Sequence, residues 1–407
     1  MDEIGRKYLT LSLNIDRHLE GFVDAYFGPP GLKAEVQAGE PRPLAALAED
    51  ARQLQAAIEQ SDYDPQRKDF LTRQTRAMAA VIRNLSGDQL DFAEEVELYF
   101  DITPHMLDQA VFEEVHAEID RLLPGPGSLP DRVAAWRKTV EVPVTLLPPV
   151  CTLAIEETRR RTGDLFDLPP GEEVSVELVE GPSWAAYNWY LGGYRSRIEL
   201  NTDLPLTATE VVSTMAHEAY PGHHTERAIK EYRLYQQAGQ GEQGVSLMLA
   251  PENVLAEGMA TSGLRVLFHD EELAGFLRDS VYPLAGLVDV NPERDIAVAR
   301  RLNVVYKVLG NAALLLHRDG RPAEQVLSYV EQYALASPEE AAKLLKFMEQ
   351  PMGGSYAFNY AVGQELLAPL LEGPDAVANF RRLLREPLTP TQIRRWLAEV
   401  KGSTRSA

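Results

Sequence analysis

The chain has 407 residues, 45% apolar and 25% charged, with 28 Gly and 27 Pro, a globular composition that is neither collagen-like nor disordered. Lys and Arg total 40 against 61 Asp and Glu, a formal charge of -21. A phosphate-coated partner is therefore repelled over most of the surface, and neither nucleic acid nor an anionic membrane is expected as a partner.

The opening residues Met1 to Lys7 are acidic at their start and lead into no unbroken apolar run of signal-peptide length, so a cytoplasmic setting is expected. Residues 1–122 read as amphipathic helices, with Leu9, Leu13, Leu19, Phe22 and Val23 recurring at helical spacing. The Pro- and Gly-rich stretch Leu123 to Pro130 is a loop. The longest apolar run, Val142 to Ile155, is interrupted by Pro143, Pro148 and Pro149, and it is shorter than the roughly 20 residues a spanning helix needs. It holds Cys151, the one cysteine of the chain, which reads as a buried, inert thiol. With one cysteine there is neither an intrachain disulfide nor a thiolate cage, so any metal site must be built from His and carboxylate. The charged run Glu156 to Arg161 reads as a solvated helix face.

After the break at Leu168 to Gly171, the alternation of Val174 to Val179 suits a half-buried strand, and Arg197 to Asn201 is a second short strand. The aromatic stretch between them, Trp184, Tyr187, Trp189, Tyr190 and Tyr194, suits either core or a substrate-facing wall. Thr207 with Glu210 three residues on is a capping box, so a helix starts near Ala208 and buries Val211, Val212, Met215 and Ala219. Another helix opens at Pro251 and runs through Leu255, Met259 and Leu267. Breaks follow at Gly320 to Pro322, Gly353-Gly354 and Gly373-Pro374. Residues 376–407 hold seven basic residues against Glu386 and Glu399 and read as a basic-faced terminal helix. The reading is a mainly α chain with a small β-sheet near residues 174–201. We expect a single large unit over 1–407 with the 123–130 loop as an internal joint; a division into 1–122 and 131–407 is the alternative.

The capped helix delivers His217-Glu218-Ala219-Tyr220-Pro221-Gly222-His223-His224, which holds three of the chain's eight histidines. In His-Glu-x-x-His zinc peptidases two imidazoles lie one turn apart on one helix face, and the Glu faces the water to be activated. Here Pro221 occupies the position four after His217, and Pro221-Gly222 loosens the chain. A widened turn there brings His223 to the second ligand position. His224 is the rival, because seven residues is nearly two full turns. The third ligand is expected at Glu257, whose neighbours Val254, Leu255, Met259 and Ala260 make an uncompensated carboxylate costly. Gly258 admits close approach of a facing helix. His18, His105, His116, His269 and His317 are isolated and read as surface or satisfied core residues.

His217 to His224 together with Glu257-Gly258-x-Ala260 resembles the bacterial family called domain of unknown function 885. Further matches are Tyr187-Asn188-Trp189-Tyr190-x-Gly192, Asn201-x-Asp203-Leu204-Pro205 and Ser355-Tyr356-x-Phe358-x-Tyr360-x-x-Gly363. That family is similar to helical zinc peptidases such as carboxypeptidase Taq and the oligopeptidases. The resemblance implies a zincin-like helical body split by a substrate groove, one zinc ion, and a phenol from Tyr360 or Tyr356 at the developing oxyanion. Either tyrosine alternatively packs in the core. Met259 departs from the Trp that members often carry after Glu-Gly.

The expected activity is a zinc-dependent peptidase with His217, His223 and Glu257 as ligands and Glu218 as general base. Its expected partner is a peptide or small amide, held along the edge of the 197–201 strand at Arg197 and oriented by Asn188. A zinc-dependent hydrolase of a non-peptide amide or ester, and a non-catalytic metal-binding protein, are the alternatives.

Overall fold

The computed structural model describes residues 1–88, 90–182 and 184–404. The chain is mainly α-helical with two small sheets, as the sequence pattern predicts for the class. It begins with α1 (Glu3–Asp16), β1 (Val23–Tyr26), α2 (Pro30–Ala38), α3 (Leu44–Gln60), α4 (Pro65–Leu85), α5 (Phe92–Phe100), α6 (Gln109–Leu122), α7 (Leu129–Thr139) and α8 (Leu147–Leu165). Three strands follow, β2 (Glu173–Val179), β3 (Ala186–Gly192) and β4 (Arg195–Asn201), and then α9 (Ala208–Glu218), α10 (His223–Lys230), β5 (Val245–Leu247) and α11 (Glu252–Leu267). The remainder is helical: α12 (Asp270–Phe276), α13 (Tyr282–Leu284), α14 (Pro292–Leu302), α15 (Val305–Ala313), α16 (Ala323–Ala334), α17 (Pro338–Met348), α18 (Gly353–Tyr356), α19 (Phe358–Leu371), α20 (Ala376–Arg385) and α21 (Pro390–Thr404). Among the described residues no helix is long and apolar enough to cross a membrane.

The sheet near residues 174–201 exists, but it has one more strand than the sequence signal. The aromatic stretch supplies β3, which pairs antiparallel with β4, while β2 pairs parallel with β4 on its other side. β4 is thus the central strand, and the expectation that Arg197 to Asn201 offers an edge to a peptide is corrected. The helical reading of residues 19–23 also fails. α1 stops at Asp16, whose carboxylate accepts from the Val23 amide at 2.9 Å, and β1 pairs antiparallel with β5. Gly353-Gly354 starts the short α18 rather than breaking a helix. The basic tail is two helices, α20 and α21, and its charges are largely used inside the fold: Arg385 pairs with Asp167, Arg395 with Asp69, and Arg382 lies over the Trp396 ring. Arg405 lies outside the described residues. The Glu156 to Arg161 run is only partly solvated, since Arg159 pairs with Glu172 and Arg161 covers the Phe268 ring.

Two apolar cores organise the helices. One joins Leu9, Phe70 and Phe100 with Val254, Val308 and Tyr356, and so draws on both sides of the 123–128 loop. The other joins Cys151, Ile198, Val212 and Met215 with Leu255, Met259, Leu367 and Phe380. Burial raises the Cys151 thiol to about 12, as expected for an inert thiol. α11 feeds both cores, which places Glu257 at their seam. There α11 crosses α19 at a separation only glycines permit. A Cβ on Gly258 would stand 2.5 Å from the Gly363 carbonyl, and one on Gly363 would stand 2.1 Å from the Val254 oxygen.

Candidate metal centre

α9 begins as its sequence dictates. The Thr207 hydroxyl accepts from the Glu210 amide at 3.2 Å, and the Glu210 carboxylate accepts from the Thr207 amide at 2.8 Å. Val211, Val212 and Met215 anchor its inner face, so the last turn, with His217 and Glu218, is delivered to a fixed place. The helix ends at Glu218 and a new one starts at His223. This is a break between two helices rather than the widened turn expected at Pro221-Gly222. Gly222 makes the break tight: a Cβ there would fall 1.8 Å from the His217 carbonyl oxygen. No side chain fits, and α10 therefore starts hard against the end of α9.

The outcome is a cluster of His217, His223 and Glu257. The two imidazole Nε2 atoms are 3.1 Å apart. Glu257 Oε2 is 3.3 Å from His217 Nε2, and Glu257 Oε1 is 3.6 Å from His223 Nε2. A tetrahedral ion with bonds of about 2.0–2.1 Å holds its ligand atoms about 3.3 Å apart, so the three residues fit a cation such as zinc. The carboxylate makes the same point, because Glu257 Oε2 is buried with no hydrogen-bond partner among the described residues. An unpaired carboxylate oxygen is costly in such a place, and a cation relieves it.

Burial pushes the His223 imidazole down to about 4, which leaves a neutral ring with a lone pair to give. Burial works to raise the Glu257 carboxyl, but the adjoining His223 and His217 outweigh it and hold the group near 2. Both residues are thus in the protonation state a cation requires. Tyr356 supports the carboxylate from behind, donating to Glu257 Oε1 at 2.7 Å.

His224, the rival ligand, faces away. It is fully buried, with Nδ1 2.8 Å from Ser196 Oγ and Nε2 3.0 Å from Glu172 Oε2. Glu172 also accepts from Arg159 at 2.7 Å and from the Tyr220 hydroxyl. His224 is thus a structural pin between α10, β4 and the loop before β2.

Glu218 is buried beside the cluster, and its carboxylate has no hydrogen-bond partner among the described residues. Burial raises it to about 7. Asn188 holds the backbone of that residue rather than standing free for a substrate: its amide nitrogen donates to the Glu218 carbonyl at 2.6 Å, while its Oδ1 is buried without a partner among the described residues. Arg197 does not join the cluster. It lies on the β4 face opposite Ser196 and Ile198 and pairs with Glu199 at 3.1 Å and Glu177 at 3.7 Å. Tyr360 has no hydrogen-bond partner among the described residues; its ring lies 5.8 Å from Tyr356 and stacks on Tyr306 at 5.1 Å.

Two groups at the site went unread in the sequence. Tyr306 has no local motif, and only the packing of α15 beside α19 brings it here. Arg227 had a signal, since it lies one turn beyond His223 on α10. It pairs with Asp24, which also accepts from the Tyr187 hydroxyl, and it donates to the Asn188 carbonyl at 3.2 Å. This occupies part of the β3 edge. The other five histidines stand apart, with His18, His116 and His317 bound to backbone carbonyls of Arg42, Tyr333 and Met348.

A cavity of about 360 Å³ lies along α9 and α11, one helical turn from His217 and from Glu257. Ser213 and Thr261 line it, each one turn from a proposed ligand, with Tyr306 and Trp184. Trp184 lines the cavity and packs against the Tyr187 ring at 5.5 Å.

No protein-family model matches the chain, and no curated protein does. Among solved structures it is similar to the "putative lipoprotein" from Colwellia psychrerythraea, with a TM-score of 0.51 and 17% identity over 87% of this chain. The chain spans 66% of that protein, just under two thirds of its length. A second similar structure is a "putative lipoprotein" from Shewanella oneidensis, with a TM-score of 0.48 and 13% identity, covering 94% of this chain and 77% of that one. At such identities the first likeness shows a shared fold and nothing of the chemistry.

Proposed function

We propose that the protein is a zinc-dependent peptidase that uses His217, His223 and Glu257 as ligands, with a zincin-like site on a helical body. The observation that carries this reading is the approach of the two imidazole Nε2 atoms and the Glu257 carboxylate to within 3.1 to 3.6 Å of one another, with one carboxylate oxygen buried and unpaired among the described residues. The motif's resemblance to the domain of unknown function 885 family supports it independently. When bound, zinc supplies a Lewis acid that polarises a carbonyl and acidifies water.

The chain's own groups do the rest. Glu218 takes the proton of the attacking water and passes it to the leaving amine. Tyr360 donates its hydroxyl to the developing oxyanion, because the Tyr356 proton is already committed to Glu257. Tyr356 thereby positions a ligand instead. Asn188 fixes the carbonyl of Glu218 and so the aim of its side chain.

A small amide or ester is the second reading of the substrate. It is favoured by one observation: β4 is a central strand and cannot grip an extended chain. A cytoplasmic setting belongs to the same proposal, is consistent with the unpaired Cys151, and is tested by cell fractionation. The enzymatic test is Glu218→Gln. This variant should bind zinc as the parent does while hydrolysis of a peptide library falls about 10²- to 10⁴-fold. Unchanged peptide turnover by the zinc-loaded variant would overturn the assignment.

A further inference from the structure

The cavity along α9 and α11 is a built feature of the fold. At about 360 Å³ it lies near the lower end of the roughly 300–1,000 Å³ of small-ligand sites, large enough for a side chain or a small molecule. Its position ties it to the cluster. Ser213 precedes His217 by four residues on α9, and Thr261 follows Glu257 by four on α11. Each is thus about 6 Å along its helix from a proposed ligand. Tyr306 lines it and stacks on Tyr360 at 5.1 Å.

The walls specify the occupant. Val212, Leu264, Leu277, Ile296 and Leu302 line the cavity from α9, α11, the end of α12 and α14. Four basic residues line it, and each already has a carboxylate: Arg137 with Glu210 and Glu340, Arg265 with Glu372, Arg300 with Asp270, and Lys343 with Asp203. No basic group is left without a carboxylate to hold an anionic one, whereas burial of apolar surface is available. Resting on the peptidase reading, we infer that this cavity receives a bulky, uncharged apolar side chain of the substrate, such as leucine or phenylalanine, next to the bond that is cut.

The test pairs cleavage with binding, on the full zinc-loaded chain. Peptides differing only at the residues flanking one bond should be cut about 10- to 100-fold faster with Leu or Phe than with Asp or Lys there. N-acetyl-phenylalaninamide should bind, as read by ligand-observed NMR, and N-acetyl-lysinamide should not. Ala299→Phe, or Ala336→Phe if the first does not fold, fills the cavity; it should erase the apolar preference and weaken binding of the phenylalanine probe at least tenfold. Cleavage without apolar preference, or probe binding that neither variant alters, overturns the inference and leaves the peptidase reading standing. Probe binding that the variants weaken, with no peptide cut, overturns the peptidase reading instead and with it the placing of a substrate side chain.

Discussion

His223 and His224 are neighbours in the chain and opposite in kind. His223 meets His217 and Glu257 with an unsatisfied carboxylate oxygen between them, whereas both ring nitrogens of His224 have protein partners in Ser196 and Glu172. Two buried histidines are thus distinguished by what their partners lack. Where every donor and acceptor is matched, the group holds the fold together. Where lone pairs converge with too few protons, the site calls for a cation.

Substitution of each histidine separates the two roles. His223→Ala should reduce zinc affinity by more than the 10- to 100-fold that loss of a supporting partner costs, with little change in the thermal stability of the zinc-free chain. His224→Ala should cost about 2–4 kcal/mol of folding stability, because it opens a cavity and strips a partner from Glu172. Denaturant titration of both variants checks this; equal stability losses would erase the contrast.

Tyr356 and Tyr360 sharpen it next. Tyr356→Phe removes the donor to Glu257 and should weaken zinc binding about 10- to 100-fold. Tyr360→Phe should leave zinc affinity alone and lower turnover. Zinc titration alongside kcat separates them, and a Tyr360→Phe variant that loses zinc instead would exchange the assignments.

A further comparison is between two carboxyls of one helix. Glu257 is held low by its histidines, while Glu252, five residues earlier, is raised by burial to about 7 from an ordinary 4.5, with Lys230 and Arg227 opposing the rise and Glu226 adding to it. The Lys230 ammonium is itself engaged by Glu226. Below pH 4.5 Glu252 is protonated whether the chain is folded or not, and its contribution to stability is fully present. Between 4.5 and 7 the unfolded chain loses that proton and the folded chain keeps it, so stability falls by up to about 1.4 kcal/mol per pH unit. Glu252→Gln should flatten that fall in urea titrations across this range; an unchanged slope would show that Glu252 ionises normally.

Local signals were readable wherever chemistry and secondary structure coincide in sequence. Thr207 and Glu210 fixed the start of α9, and with it the placing of His217 and Glu218. Glu257 was legible as a charge among apolar neighbours, and Gly258 as a close helix crossing. The choice between His223 and His224 was not legible, because helical angles say nothing once the helix ends at Glu218; it is decided by the contact of Gly222 with the His217 carbonyl. β3 was missed because its apolar and aromatic residues fall on both faces, Tyr187 and Trp189 on the half-buried one and Tyr190 on the buried one with Asn188, so the sequence does not alternate although the burial does, and β1 because four residues are too few to show a period. Tyr306 reaches the site only through tertiary packing, whereas Arg227 lies one turn beyond His223 on the same helix and was readable from that spacing.

The most direct measurement is equilibrium dialysis of zinc against the stripped full chain, its His223→Ala variant and its His224→Ala variant, with folding checked by circular dichroism. One equivalent of zinc should bind to the parent and to folded His224→Ala, and His223→Ala should lose it. A parent that binds no zinc, or a His223→Ala variant that keeps the full equivalent, would contradict a centre built on His217, His223 and Glu257.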